Sequence, residues 1–223
     1  MARDTQYSAG HFLGTAGVDQ KKWSRIPPAP LLEQTAEAIG RRSMNVIIAE
    51  DGSDALARIR TIIPKGSTVM SGSSTTLIEI GFEDLVAEGE AGWRSLRERI
   101  LAEDEDRTRN ELRRHSITAD YFLSSANAVA STGEIVACDA SGSRVGAWPY
   151  GARRLIIVAG VNKIVPTLQD AFDRIREYAF PLENARALRA YGTPSMIGKY
   201  VILAGERDPG RTTVILVKEV LGY

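Results

Sequence analysis

The stretch NVIIAEDGSDALARIRTIIPKGSTVMSGSSTTLIEIG, residues 45–81, decides the fold. Asn45 to Ala49 is a continuous apolar run, the pattern of a strand buried on both faces. Glu50-Asp51-Gly52 turns the chain into a helix over Asp54 to Ile63, where Leu56, Ile59, Ile62 and Ile63 recur at helical spacing. Pro64-Lys65-Gly66 stops that helix. Thr68-Val69-Met70 is a second short strand. Ser71-Gly72-Ser73-Ser74 follows, then a short helix from Thr75 to Ile80 that Gly81 ends. Strand, helix, strand, helix in this order requires a parallel sheet with crossover helices.

Downstream, Glu83 to Gly92 reads as loop or broken helix, and Trp93 to about Ser116 as one long charged helix. Trp93, Leu96, Ile100 and Leu112 form its sparse apolar stripe. Its acidic run Glu103 to Asp106, followed by Arg107 and Arg109, reads as a solvated face laced with ion pairs, with recognition as the alternative. Ala119 to Gly160 then holds three apolar β-like runs: Tyr121-Phe122-Leu123, Glu134 to Cys138, and Leu155 to Ala159. Thr167, with Asp170 three residues on, opens a helix whose core face is Leu168, Ala171, Phe172, Ile175 and Ala179. Pro181 to Ala190 predicts another helix, Gly205 to Gly210 a turn and Thr213 to Val217 a closing strand. Upstream, Met1 to Ser24 reads as an arm, partly disordered or docked on a partner subunit. Ile26-Pro27-Pro28-Ala29-Pro30 is a stiff spacer, and Leu31 to Arg42 a helix. The expected division is 1–44, arm and helix, and 45–223, an α/β domain.

Composition narrows the function classes. Lys plus Arg equals Asp plus Glu, 28 against 28, so no net field draws the chain to nucleic acid or anionic lipid. No apolar run approaches the roughly 20 residues of a membrane span. The first residues have no secretory-signal pattern, and a cytoplasmic protein is expected. One cysteine, Cys138, and two histidines, His11 and His115, leave no basis for an internal disulfide or a cysteine- or histidine-rich metal site. Neither a metal nor any other cofactor is expected in this chain.

Three constellations could carry chemistry. Gly72, Ser73, Ser74 and Thr75 sit between a strand and a helix, where free N–H groups and hydroxyls favour a phosphate or carboxylate. The stretch lacks the Walker lysine and the dinucleotide glycine spacing, so a plain capped helix start is the alternative. Ser124, Ser125 and Asn127 at a strand end could bind a polar ligand or satisfy a turn. Glu134 and Asp139 bracket one strand, about 16 Å apart at about 3.3 Å per residue, too far for an acid/base pair on one bond. Arg144, after Gly142, is a candidate cation for a bound anion, against a pairing with Glu134 or Asp139. Lys163 follows an apolar strand and could reach the same mouth; an exposed loop lysine is the alternative. Glu134, Asp139 and Lys163 are thus the candidate catalytic groups. Cys138, inside an apolar strand, reads as inert. His115 suits a helix C-terminus.

Four passages resemble the LUD-domain family, the lactate-utilisation proteins of the subunit-C kind. They are Gly72 to Gly81, Ala119 to Ala128, Thr132 to Val136, and Asp139 through Arg144 continuing to Val158-Ala159-Gly160-Val161-Asn162-Lys163-Ile164. With the helix after Pro166, the similarity spans about Asn45 to Tyr223. The resemblance implies a three-layer α/β/α sandwich with a mostly parallel sheet, similar to glucosamine-phosphate deaminase, ribose-phosphate isomerase and coenzyme A transferases. In that fold small anionic ligands bind at strand ends. It also implies a link to oxidation of lactate to pyruvate, with iron–sulfur clusters in oxidoreductase partner subunits. Many short relatives carry cysteines after a Thr-Pro pair near the C-terminus. Here the region reads Thr193-Pro194-Ser195-Met196-Ile197-Gly198-Lys199-Tyr200, so a metal-linked role for it is not expected. Three functions follow as expectations: an accessory or ligand-binding component of a lactate-utilisation system, a stand-alone isomerase- or transferase-like enzyme on a small phosphorylated or carboxylated metabolite, or an interaction scaffold using the arm. A homo-oligomer is compatible with each.

Overall fold

The structure, a computed structural model, describes residues 9–223. Its elements in order are α1 (Ala9–Ala16), α2 (Gln20–Trp23), α3 (Ala29–Gly40), β1 (Asn45–Ala49), α4 (Gly52–Ile62), β2 (Thr68–Ser71), α5 (Thr75–Glu79), α6 (Phe82–Ala87), β3 (Arg94–Ser95), α7 (Leu96–Leu101) and α8 (Asp106–His115). Then come β4 (Tyr121–Ser124), β5 (Ala128–Ala130), β6 (Ile135–Asp139), β7 (Arg154–Gly160), β8 (Ile164–Val165), α9 (Leu168–Arg174), α10 (Phe180–Tyr191), β9 (Lys199–Leu203) and β10 (Thr212–Val217). The central sheet has six strands in the order β1-β10-β7-β4-β2-β3, and every neighbouring pair is parallel. The protein is a three-layer α/β/α sandwich, as the order of strands and helices requires.

Strand alternation assigns the two faces. On one, Leu123, Ile156, Val158 and Ile215 meet Ala55 and Ile59 of α4, Leu77 of α5 and Phe82 of α6. On the other, Phe122, Leu155, Ile157 and Val214 meet Leu32 and Ile39 of α3 and the inner face of a second, four-stranded sheet, β8-β5-β6-β9. The run 134–138 therefore does not extend the central sheet. As β6 it pairs antiparallel with β5 and β9. The outer face of that sheet, Ala128 and Val136, is covered by Ala171, Ile175, Tyr178 and Leu182. Helix α9 starts at the expected Thr167–Asp170 capping box and runs through a wider turn at Ile175–Ala179 into α10. Pro181 there has no N–H to close a regular helical bond.

Two expectations are corrected. The long helix over 93–116 is instead a short strand and two helices. Arg94 and Ser95 pair with Thr68 and Val69, and the Ser95 hydroxyl caps α7 by accepting from Glu98 N at 3.2 Å. Four consecutive carboxylates would repel one another inside a helix. Placed at and before the N-terminus of α8 they oppose its positive end, and Arg109 bonds the Glu103 and Asp104 carbonyls to close the linker. The arm is the second correction. Residues 1–8 lie outside the described residues, but α1 and α2 pack on this same chain, with Phe12 and Trp23 buried beside Tyr178 and Leu182. Trp23 Nε1 donates to Glu177 at 3.0 Å, and the Trp23 carbonyl accepts from Arg174 at 3.0 Å.

Trp23→Ala should therefore destabilise the whole domain by about 3 kcal/mol, the usual cost of deleting a buried aromatic. Urea unfolding measures it. A change below about 0.5 kcal/mol, the scale of a surface substitution, would show that the segment is a dispensable appendage.

Candidate functional site

In a parallel sheet the loops after adjacent strands meet at one end, outside the carboxyl ends. Here β2 ends at Ser71, β4 at Ser124, β7 at Gly160 and β10 at Val217, and the four strands are neighbours. Lys163 leaves the β7 end in a single turn of 3₁₀ helix and is 1% exposed. Its Nζ donates to Thr76 Oγ1 at 2.8 Å, Ser125 Oγ at 2.9 Å and the Ala126 carbonyl at 3.1 Å. Ser125 Oγ in turn donates to Thr76 Oγ1 at 3.1 Å. Lys163 is thus no exposed loop lysine; it is the centre of the mouth. Burial, and then the Arg174 guanidinium, hold its pKa well below the ordinary 10.5, against an upward pull from the Glu79 carboxylate and with a smaller push from Arg144 in the same direction as Arg174.

Arg144 occupies a different position from the one expected of an anion clamp. Its Nη1 donates to the Ser125 carbonyl at 2.7 Å and reaches Ser124 Oγ at 3.4 Å. Its Nη2 donates to the Cys138 carbonyl at 2.5 Å and Asn127 Oδ1 at 3.2 Å. The fork ties the loop after β4 to the end of β6, and it pairs with neither Glu134 nor Asp139. Its stem crosses Gly72, where a Cβ would stand 2.5 Å from Arg144 Cγ, so only glycine fits. Asn127 also accepts from Cys138 N at 3.0 Å, and its carbonyl accepts from Arg174 Nη1. Arg174 is fully buried, its pKa pulled by burial to about 10, and its Nη2 has no hydrogen-bond partner among the described residues.

The remaining expected residues divide. Ser74 caps α5, accepting from Leu77 N at 3.3 Å, while Ser73 is exposed. Thr75 is half-buried at the first position of α5. Asp139 accepts from the N–H groups of Arg144 and Val145 at 2.9 and 3.3 Å and so shapes the turn that carries Arg144. Gly142, with φ 92°, sits in that turn against Lys199. Glu134 stands at the other end of β6, paired with Arg42 and bonded by Thr132, and the structure does not bring it to Lys163. Cys138 is half-buried, and burial pushes its thiol up to about 11.

Sequence reasoning missed the last wall. The segment after β10 folds back over Lys163: Leu221 N donates to Asn162 Oδ1 at 3.1 Å, Gly222 N to Glu79 Oε2 at 2.6 Å and Tyr223 Oη to Glu183 Oε2 at 2.7 Å. Gly222 has φ 57°, and a Cβ there would stand 3.2 Å from Lys163 Nζ and inside contact distance of Thr76 Oγ1. The sequence signal for Thr76 was its place in the hydroxyl-rich stretch that leads from a strand into a helix, and for Asn162 its place just after an apolar strand. None pointed to Arg174 or Gly222, which act from distant parts of the chain.

These features define a three-layer α/β/α protein with a polar, cation-rich cluster at the carboxyl ends of a parallel sheet. The LUD-domain profile matches residues 32–217, and the chain belongs to that family. Among solved structures it is similar to a DUF162 family protein from Deinococcus radiodurans, DUF162 being the LUD domain's former name. That match has a TM-score of 0.51 and 14% identity, and covers 86% of this chain and 99% of the other. No curated protein matches the sequence. No helix among the described residues is long and apolar enough to cross a membrane.

Two outcomes follow from this geometry. Arg144→Lys should lower stability by about 2 kcal/mol, since an ammonium cannot replace a fork bonded to two separate loops; urea unfolding reads the loss. Cys138 should resist alkylation by iodoacetamide at about pH 8, where a thiol of that pKa is ionised to about one part in a thousand. Rapid labelling of the native protein would contradict that environment.

Proposed function

We propose that the chain binds a small metabolite bearing a carboxylate or phosphate at the Lys163 mouth. The supporting observation is that Lys163, Arg144 and Arg174 gather there with their side-chain hydrogen bonds, among the described residues, all going to neutral oxygens. Cations held together in a dry site repel one another, and an anion among them relieves both the repulsion and the orphaned Arg174 donor. Thr76 and Ser125 hydrogen-bond Lys163 there, and Asn127 bonds both guanidinium groups. Lys163 takes the role first considered for Arg144, which serves as the tie that positions it. Family membership supports the physiological setting: a ligand-binding component of a lactate-utilisation system whose iron–sulfur chemistry resides in partner subunits. Co-purification of such a partner, and slowed growth on lactate after deletion in the host, test that setting.

The binding itself is tested by thermal shift with lactate, pyruvate, inorganic phosphate and ribose 5-phosphate. At least one should stabilise the wild type, by about 2.7 kcal/mol at a hundredfold excess over Kd, and leave Lys163→Met unmoved. If none distinguishes the two proteins, the anion reading fails.

Without ligand, the two should also differ in pH dependence. Folded Lys163 loses its proton before the unfolded residue does, so over the window from its lowered folded value up to 10.5 the unfolded state binds more protons. Wild-type stability should therefore rise with pH relative to Lys163→Met across that window and run parallel to it below. Chemical unfolding at a series of pH values measures the difference.

A further inference from the structure

We propose that Lys163 is a reactive amine that condenses with the carbonyl carbon of a small anionic aldehyde or ketone, and that Leu221–Tyr223 is the segment that uncovers it. This rests on the anion-site reading and names the chemistry of the same site. Three features of the geometry support it.

First, Nζ makes no ion pair among the described residues: its acceptors there are two hydroxyls and one carbonyl. Most lysines find a carboxylate or water; one held by neutral oxygens in a dry site is not locked in its charged form. Among the described residues, the charged groups that act on it are Arg174 and Arg144, which favour the free amine, and Glu79, which opposes them while accepting from Gly222 N. Second, the two hydroxyls that touch Nζ touch each other. A proton can pass along Thr76 and Ser125 between nitrogen and a bound oxygen, as imine formation needs. Third, the cover directly over Nζ is main chain without a side chain, Gly222, held by hydrogen bonds at both flanking residues.

The step balances without a redox partner. The Nζ lone pair attacks the carbonyl carbon, and the carbon–oxygen π pair moves onto oxygen. One nitrogen proton passes to that oxygen through the hydroxyl pair, giving a carbinolamine. Proton transfer to its hydroxyl then releases water with the carbon–oxygen bonding pair, and the nitrogen pair closes the C=N bond. Net, lysine ammonium plus carbonyl gives protonated imine plus water. The substrate's carboxylate or phosphate lies toward the guanidinium groups.

Reductive trapping tests this. Wild type, Lys163→Arg, Gly222→Ala and Tyr223→Phe are incubated with glyoxylate or glycolaldehyde phosphate and cyanoborohydride, then mapped by mass spectrometry. The two probes separate carboxylate from phosphate recognition. A saturable adduct is expected on Lys163 at probe concentrations that leave the exposed Lys21 and Lys65 largely free. Gly222→Ala, whose Cβ pushes the segment off Thr76, should raise the trapping rate severalfold, and Tyr223→Phe, which removes the bond to Glu183, should raise it less. Lys163→Arg should abolish the adduct. Labelling of Lys21 and Lys65 with Lys163 untouched in wild type and in both cover variants overturns the proposal. If anions still shift the melting temperature through Lys163 in that case, the site binds without condensing; if they do not, the anion reading falls as well.

Discussion

A single guanidinium holds the mouth of this protein in shape. Arg144 bonds the carbonyl after β4 and the carbonyl in β6 with the two arms of one rigid plane, so the central sheet and the second sheet share a fixed edge. Asp139 prepares the turn that delivers it, and Gly72 leaves the space its stem crosses. With that edge set, Ser125 and Ala126 present their oxygens to Lys163 from below while Thr76 meets them from the start of α5. A planar five-donor group can bridge separate loops in a way that a point charge cannot. The same property that makes arginine a good anion clamp here serves internal carbonyls.

The cost of this arrangement falls on Lys163. An ammonium removed from water with only neutral partners is held near its limit by the surrounding packing, and two guanidinium groups nearby add to the strain. Such a group persists where the rest of the structure over-determines its position. Both faces of the β7 strand that leads to it are buried, and Asn162 beside it is pinned by the returning Leu221. The site therefore sits on rigid elements, while its cover, Leu221–Tyr223, lies outside any helix or strand and is bound by three hydrogen bonds among the described residues.

Much of the scaffold was legible because it depends on local pattern. Apolar runs such as Asn45 to Ala49 and Thr213 to Val217 form strands, and the Thr167–Asp170 cap opens α9. Reading failed where pairing across the chain decides. Short β5 and β8 have too few residues to carry a period, and they are strands only because β6 and one another complete their ladders; β9, largely exposed, is a strand through its pairing with β6. The acidic run 103–106 kept a helical composition, yet its charge placed it at and before a helix start. Trp23 looked like part of a free arm until the far face of the second sheet gave it a place to be buried.

The sequence by itself determined the class of fold, the family, and the loops that meet at the mouth, because strand ends and helix starts follow from nearest-neighbour chemistry. Only the tertiary structure decided which cation is a tie and which is the centre of the site. Arg144 and Lys163 are both basic residues in small-residue loops, alike in one dimension. Burial separates them: Lys163 is enclosed by loops from four neighbouring strands, whereas Arg144 spans the seam between two sheets, and no local pattern encodes which groups a folded chain brings within hydrogen-bonding distance.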